Sequence, residues 1–246
     1  MTLKSAHDLL FAAQSGRIAT VKRLLKRSGA GSVGAGAAVV NVNWQDGNGT
    51  TAVYQAAVRN HLSVVVALLE HNADPNKART DNGITPLFMA AQKGHVDVVR
   101  MLLAHNADPN KAKTTDGATP MCMAATFGHV DVATVLLAHN ADPNQARTDD
   151  GSTPMYAAAQ EGHVDVARAL LAHNAHPNKA RTDNGATPMG VAAMQGYVDV
   201  VKVLLAHNAD PNKATTEGSN FTPLKIAIGT GHTAIADLLK QHGAVN

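Results

Sequence analysis

The chain has 246 residues and a formal net charge of +2, and 45% of its residues are hydrophobic although only 3% are aromatic. Ala, Leu and Val therefore supply the buried surface, which suits thin helices packed close together. The single cysteine excludes an intrachain disulfide. We find no signal peptide and no apolar stretch long enough to span a membrane, so we expect an intracellular, cytoplasmic protein without membrane contact.

The chain begins with a predicted helical pair and a glycine-rich insert. Over about residues 4–28, Ala12-Ala13 and Leu24-Leu25 mark two helices separated by Gly16, and basic residues crowd the second helix. Residues 29–45 begin with GAGSVGAGAA, a composition typical of a flexible insert and linker. Three of these glycines match the spacing of a dinucleotide-binding loop. No buried strand precedes them, so we expect no nucleotide site.

A 34-residue block then dominates the chain. After a second, less regular unit that begins at about residue 46, the block starts at His71, His105, His139 and His173. Its first and last copies agree at 24 of 34 positions. A period of this length is typical of a stacked array of small units. Such arrays bury apolar faces between neighbours and expose one long surface, which favours binding over catalysis.

Each block predicts a short helix, a turn, a longer helix and a hairpin-like loop. Thr85-Pro86 opens the first helix, since Thr caps free N–H groups and Pro is tolerated at the first helical position. Gly94 ends this helix. Asp97 lies in the first turn of the second helix, where the helix dipole favours an acid. Asn106 can take the left-handed conformation that ends it, and the polar loop ADPNKARTDNG follows.

This unit resembles the ankyrin repeat. The residues that carry the resemblance are Thr85-Pro86, Ala90-Ala91, Gly94-His95, Leu102-Leu103 and Ala107-Asp108-Pro109-Asn110. The Thr-Pro pair returns at Thr119-Pro120, Thr153-Pro154, Thr187-Pro188 and Thr222-Pro223. The resemblance covers essentially the whole chain. It implies an all-α solenoid of about seven helix-turn-helix units joined by hairpin-like loops.

The chain departs from the family pattern in two ways. The family usually has a period of about 33 residues, and we expect the extra residue to lie at the hairpin tip. The family also has a His two residues after the Pro, which would fasten the turn. This position, here called the column, holds Tyr54, Phe88, Cys122, Tyr156, Gly190 and Lys225.

We predict that residues 1–246 form a single ankyrin-repeat domain that acts as a monomer. It would comprise an N-terminal capping unit at about 4–28, the insert and linker at 29–45, five internal repeats at 46–216 and a C-terminal repeat or cap at 217–246. The charged second helix of the first unit fits a cap, because the end of an array must remain soluble.

We expect no metal, no cofactor and no enzymatic activity. His71, His105, His139, His173 and His207 lie in register, but packed helices are roughly 8–10 Å apart and zinc ligands lie at about 2.0–2.1 Å from the ion. We interpret these residues as complementing helix dipoles. His95, His129 and His163 begin second helices and are expected to fasten the turn. Basic hairpin residues alternate with aspartates, so we do not expect a nucleic-acid partner.

Positions that vary between repeats point to a binding site. In ankyrin repeats the first helices and hairpins line the concave face where partners usually dock. Here the residues before each Gly-His, in the column and before each Thr-Pro vary, and they map onto that lining. The predicted partner-binding residues are Tyr54, Arg59, Phe88, Gln92, Lys93, Cys122, Thr126, Phe127, Ser152, Tyr156, Gln160, Glu161, Met194 and Gln195.

Two structural questions stay open at this point. The aromatic residues Tyr54, Phe88 and Tyr156 either anchor a partner or fill the place of the missing His, whereas Phe127 at a helix end is the better candidate for an exposed anchor. Trp44 either covers the end of the first unit or extends the binding patch.

The leading hypothesis is a protein-interaction module that binds an unidentified protein or peptide in its concave groove. The alternative is a passive scaffold or spacer, or an engineered array without a natural ligand. Near-identical repeats motivate it, but irregular ends and Gly190 within a helix argue against design. A third hypothesis is hydroxylation of the hairpin asparagines. These are Asn76, Asn110, Asn144, Asn178 and Asn212, each of which follows Pro instead of the usual aliphatic residue.

Overall fold

The computed structural model describes residues 3–26, 40–216 and 220–245. The regular secondary structure in these ranges is helical, in seven consecutive pairs. The predicted all-α class of helix-turn-helix units joined by hairpin-like loops is therefore confirmed. The glycine-rich stretch 29–38, with its dinucleotide-like spacing, lies outside the described residues.

The helices are α1 (Leu3–Gln14), α2 (Ile18–Lys26), α3 (Ala52–Val58), α4 (Leu62–Leu69), α5 (Pro86–Gln92), α6 (Val96–Ala104), α7 (Pro120–Thr126), α8 (Val130–Ala138), α9 (Pro154–Gln160), α10 (Val164–Ala172), α11 (Pro188–Gln195), α12 (Val198–Ala206), α13 (Pro223–Gly229) and α14 (Thr233–Gln241).

The chain divides into two compact units, residues 1–115 and 116–246. The first unit holds the three repeats from α1 to α6, and the second holds the four repeats from α7 to α14. Within each unit, first helices pack against the first helices of adjacent repeats, and second helices pack against second helices. Each repeat thus buries its apolar face against its neighbours, as a stacked array requires. The single-domain assignment stays a prediction.

A buried threonine starts the first helix of each repeat from the second to the sixth. Thr153, for example, is 2% exposed, and its Oγ1 accepts a hydrogen bond of 3.2 Å from the backbone N–H of Tyr156. Pro154 follows at the first helical position. The same cap occurs at Thr51, Thr85, Thr119, Thr187 and Thr222. The Thr-Pro signal for a helix start is confirmed.

Left-handed residues end the helices and close the hairpins. Asn106 ends α6 with φ of +64°, as its position predicts. At the hairpin tip, Gly117 has φ of +72°, and a Cβ there would lie 2.7 Å from the backbone N of Thr148 in the next hairpin. Glycine is therefore required at this tip for both its backbone conformation and the close approach of the neighbouring loop.

The histidines at the ends of the second helices cap those ends. In each, Nδ1–H donates to the carbonyl four residues earlier, as in His139 to Val135 at 2.9 Å. The bond satisfies a carbonyl that has no partner within the helix. The residues that make it are His71, His105, His139, His173, His207 and His242. Their register thus reflects capping by hydrogen bonds, a more specific interaction than the predicted dipole complementation.

The histidines that begin second helices join adjacent repeats. The Nε2–H of His163 donates to the carbonyl of Thr126 at 3.1 Å, and His95 reaches Val58 in the same way at 3.3 Å. We expected these rings to fasten a turn. Those of His95 and His163 bind the last carbonyl of the preceding repeat's first helix, directly before its turn. The ring of His163 lies over Gly128, where a Cβ would be 2.6 Å from it, so the glycine makes room for the ring.

Asparagines tie one hairpin to the next. Asn144 donates through Nδ2 to the carbonyl of Asn174 at 3.0 Å, and its Oδ1 accepts from the backbone N–H of His176 at 2.7 Å. Pairs of bonds of the same kind are made by Asn43, Asn76, Asn178 and Asn212. These bonds explain why the hairpin sequence barely varies.

Replacing Thr153 by Ala should lower the free energy of unfolding by about 1–2 kcal/mol, because the N–H of Tyr156 loses its buried partner. Thr134→Ala is the matched control. Thr134 is exposed, its hydroxyl bonds the Val130 carbonyl within its own helix, and the change should stay within about 0.5 kcal/mol. Urea unfolding followed by circular dichroism measures both values. Equal effects of the two substitutions would contradict the capping role.

Candidate functional site

The structure divides the predicted partner-binding residues by their exposure. Those buried to 7% exposure or less are Tyr54, Phe88, Cys122, Ser152 and Tyr156. Those partly buried are Gln92, Thr126 and Gln160. Those exposed are Arg59, Lys93, Phe127, Glu161, Met194 and Gln195. The exposed and partly buried residues lie at the ends of the first helices, while the buried ones, apart from Ser152, belong to the column.

The buried column supports the hairpins. Tyr156 is 5% exposed, and the guanidinium of Arg181 lies 5.4 Å from its ring centroid. Arg181 also pairs with Asp183 at 2.5 Å, and this hydrogen bond lowers the pKa of the Asp183 carboxyl. Tyr54 and Arg79 form the same contact in the first unit, at 5.9 Å. The rings of Tyr54, Phe88 and Tyr156 are therefore packed inside the protein, in the place of the missing His.

A groove of about 210 Å³ in the second unit gathers six of the predicted residues. It lies along α7 and α9 and the hairpins beside them. The predicted residues that line it are Cys122, Thr126, Ser152, Tyr156, Gln160 and Glu161. The predicted residues of the first unit are Tyr54, Arg59, Phe88, Gln92 and Lys93. Met194 lines a different pocket, described below.

Three charged residues line the groove but were not among the predicted partner-binding residues. They are Arg147, Asp150 and Arg181. Asp150 lies between two arginines, 3.3 Å from Arg181 and 3.7 Å from Arg147. Arg147 also pairs with Asp149 at 2.6 Å, and the hydrogen bond between them lowers the pKa of the Asp149 carboxyl. The alternation of basic and acidic residues in the hairpins was the available signal. It does not reveal that one carboxylate bridges two consecutive hairpins.

Phe127 and Glu161 occupy equivalent positions in adjacent repeats, each directly after a first helix. Glu161 lines the groove, whereas Phe127 follows Thr126, which lines it. Phe127 is 49% exposed, and its ring stacks on His129 with 6.2 Å between centroids. Glu161 is exposed and accepts a hydrogen bond of 3.0 Å from Gln160. One position offers an apolar ring and the other a carboxylate, so the two ends present different chemistry to a bound molecule.

Trp44 covers part of the first repeat. Its ring centroid lies 4.5 Å from that of His7 in α1, and the side chain is partly buried. Trp44 therefore packs against the first repeat.

Cys122 has the surroundings of a core residue. It is 2% exposed, and Thr119 Oγ1 lies 3.3 Å from its sulfur. Burial raises the pKa of the thiol, which keeps it protonated and weakly nucleophilic. Among the described residues, no group of three or more His, Cys, Asp or Glu side chains could hold a metal ion. Within the same ranges, no helix is both long and apolar enough to cross a membrane.

A family model described as ankyrin repeats in three copies matches residues 9–113, 110–181 and 173–246. This chain therefore belongs to the ankyrin repeat family. The crystal structure of the human ASB11 ankyrin repeat domain is similar, with 25% sequence identity, a TM-score of 0.77 and coverage of 97% of this chain and 98% of that one. A comparison with curated proteins gives no match. Ankyrin repeats are generally protein–protein interaction modules.

The thiol of Cys122 should react with a disulfide reagent about 100-fold more slowly in the native protein than in urea, since reaction requires local opening and deprotonation. The release of the coloured thiolate from the reagent measures both rates. Similar rates in the two conditions would show that Cys122 is accessible and contradict its burial.

Proposed function

We propose that this chain binds an intracellular protein or peptide in the groove formed by its first helices and hairpins, centred on α7 and α9. The observation that carries this proposal is a separation between repeated and variable residues. The repeated residues hold the fold together, whereas several variable residues line an open groove.

The repeated residues have structural contacts. Thr153 caps a helix, His163 joins two repeats and Asn144 joins two hairpins. A substitution at such a position would weaken the interface between two repeats, whichever repeat carries it, because these interfaces are the source of stability. These positions are therefore unsuited to encode a preference for one partner.

The variable residues at the ends of the first helices lack that constraint. Thr126-Phe127 and Gln160-Glu161 occupy the same two places in adjacent repeats, yet they differ in charge and in apolar area. Phe127 is a large apolar side chain that is half exposed, and aromatic residues are enriched among those that dominate binding energy. We assign to Phe127 the role of an apolar anchor.

Charge further defines the partner. Within the groove, Asp150 is compensated by the two arginines that flank it, whereas Glu161 exposes its carboxylate at the edge. The partner should therefore bring an apolar side chain to Phe127 and a basic group to Glu161. A specific complex would bury about 800 Å² on each side.

Phe127→Ala combined with Glu161→Lys should weaken partner binding at least about tenfold, because it removes the anchor and reverses the charge. The matched control is Val130→Ala with Arg168→Glu, which makes the same kinds of change at exposed positions on second helices. Proteins captured from a native lysate are identified by mass spectrometry, and the affinity of the purified partner is then measured for each variant. Tyr156 is left unchanged because it is buried.

A partner that binds the groove variant and the control equally would contradict this site. Loss of binding only in the control would move the site to the second helices. If no saturable partner is captured, the scaffold function is favoured instead.

A further inference from the structure

One repeat has no side chain in the column. Tyr156 fills this place in α9, but the equivalent residue in α11 is Gly190. A Cβ at Gly190 would lie 3.3 Å from Thr187 Oγ1, a tight contact, and 3.6 Å from Ile226 Cδ1, an ordinary one. The cation above the ring is also replaced, because Thr215 stands where Arg181 stands one repeat earlier.

An apolar pocket of about 250 Å³ occupies this region, between α11, α13 and their hairpins. Its apolar walls include Tyr156, Ala186, Val191, Met194, Phe221 and Ile226. Met194 and Phe221 are 46% and 49% exposed. Two large apolar side chains therefore remain half exposed beside an apolar cavity, a combination that marks a binding site rather than an ordinary surface.

The hydroxyl groups in the pocket wall already have partners. Thr187 Oγ1 accepts from the backbone N–H of Gly190 at 3.0 Å, and Thr215 Oγ1 accepts from that of Phe221 at 3.2 Å. Both hydroxyl oxygens are thus engaged as acceptors, and most of the remaining wall is apolar. This favours the ring of Phe, which has no polar atom to satisfy.

The edge of the pocket is basic. Lys213 lines it and donates through Nζ to the carbonyl of Asn178 at 2.8 Å. Lys213 is therefore the cation in the wall of the pocket. The charge of Arg181 is compensated by its ion pairs with Asp150 and Asp183. An occupant with a carboxylate beside its apolar group would complement Lys213.

We propose that this pocket binds a Phe side chain from an acidic segment of a partner protein. The ring would take the place that Tyr156 fills in the preceding repeat, and a flanking carboxylate would face Lys213. This inference rests on the proposed function, since it adds a second, separately testable anchor to the same binding surface.

The test uses a blocked pentapeptide with Phe flanked by two Asp on each side, titrated into the isotope-labelled full chain and followed by nuclear magnetic resonance. We expect saturable shifts of the amide signals of Gly190, Met194 and Phe221. The same peptide with Ala in place of Phe should bind at least about tenfold more weakly. Replacing its Asp residues by Lys should weaken binding at low salt by a similar factor.

Two variants of the chain complete the test. Gly190→Phe fills the pocket and should weaken peptide binding at least about tenfold, with Gly190→Ala as the control for adding a Cβ alone. Lys213→Glu leaves the apolar walls intact and should also weaken binding at low salt, so the inference remains testable if Gly190→Phe fails to fold.

The inference is overturned if the peptide leaves the Gly190 amide unshifted, if it binds elsewhere, or if the Ala peptide binds equally well. None of these results affects capture of a partner by the groove along α7 and α9. The peptide should still bind at Gly190 in the variant Phe127→Ala with Glu161→Lys. Such binding supports the pocket even if no partner is captured by the groove.

Discussion

In both compact units, backbone carbonyls and amides at the edge of one repeat find their partners in the next repeat. His163 reaches back to the carbonyl of Thr126, and Asn144 bridges forward to the backbone of Asn174 and His176. A single helix pair of this length could not bury its apolar face or satisfy these groups alone. The hydrogen bonds between repeats therefore set the register in which the first helices and hairpins are presented.

This constraint separates residues that maintain the array from residues that distinguish its repeats. A change at His163 alters a junction, whereas Phe127 and Glu161 follow helices whose packing is set by other residues. The column shows an intermediate case. Its buried rings contact hairpin arginines in two repeats, and the glycine in α11 accompanies an apolar pocket. Variation within a regular array thus creates local sites without changing the fold.

The sequence was sufficient to predict the fold because each repeat carries short-range signals with a local cause. Thr153 caps its own helix, and Asn106 adopts its left-handed turn, through atoms only a few residues away. The target of His163 lies in the preceding repeat, so spacing alone did not reveal it. The contacts of Tyr54 and Tyr156 with arginines likewise depend on adjacent hairpins. The bridging position of Asp150 depends on two hairpins, and the pocket at Gly190 on residues from three repeats.

We propose that the residues that maintain the array and the residues that bind a partner are different. The most direct measurement is a saturation substitution scan of residues 116–246, scored separately for the amount of folded protein and for binding of the captured partner. We expect substitutions at His163 and Asn144 to reduce folded protein, and substitutions at Phe127 and Glu161 to reduce binding alone. The account would be contradicted if the positions that affect binding alone clustered on the second helices, or if Phe127 and Glu161 affected only folding.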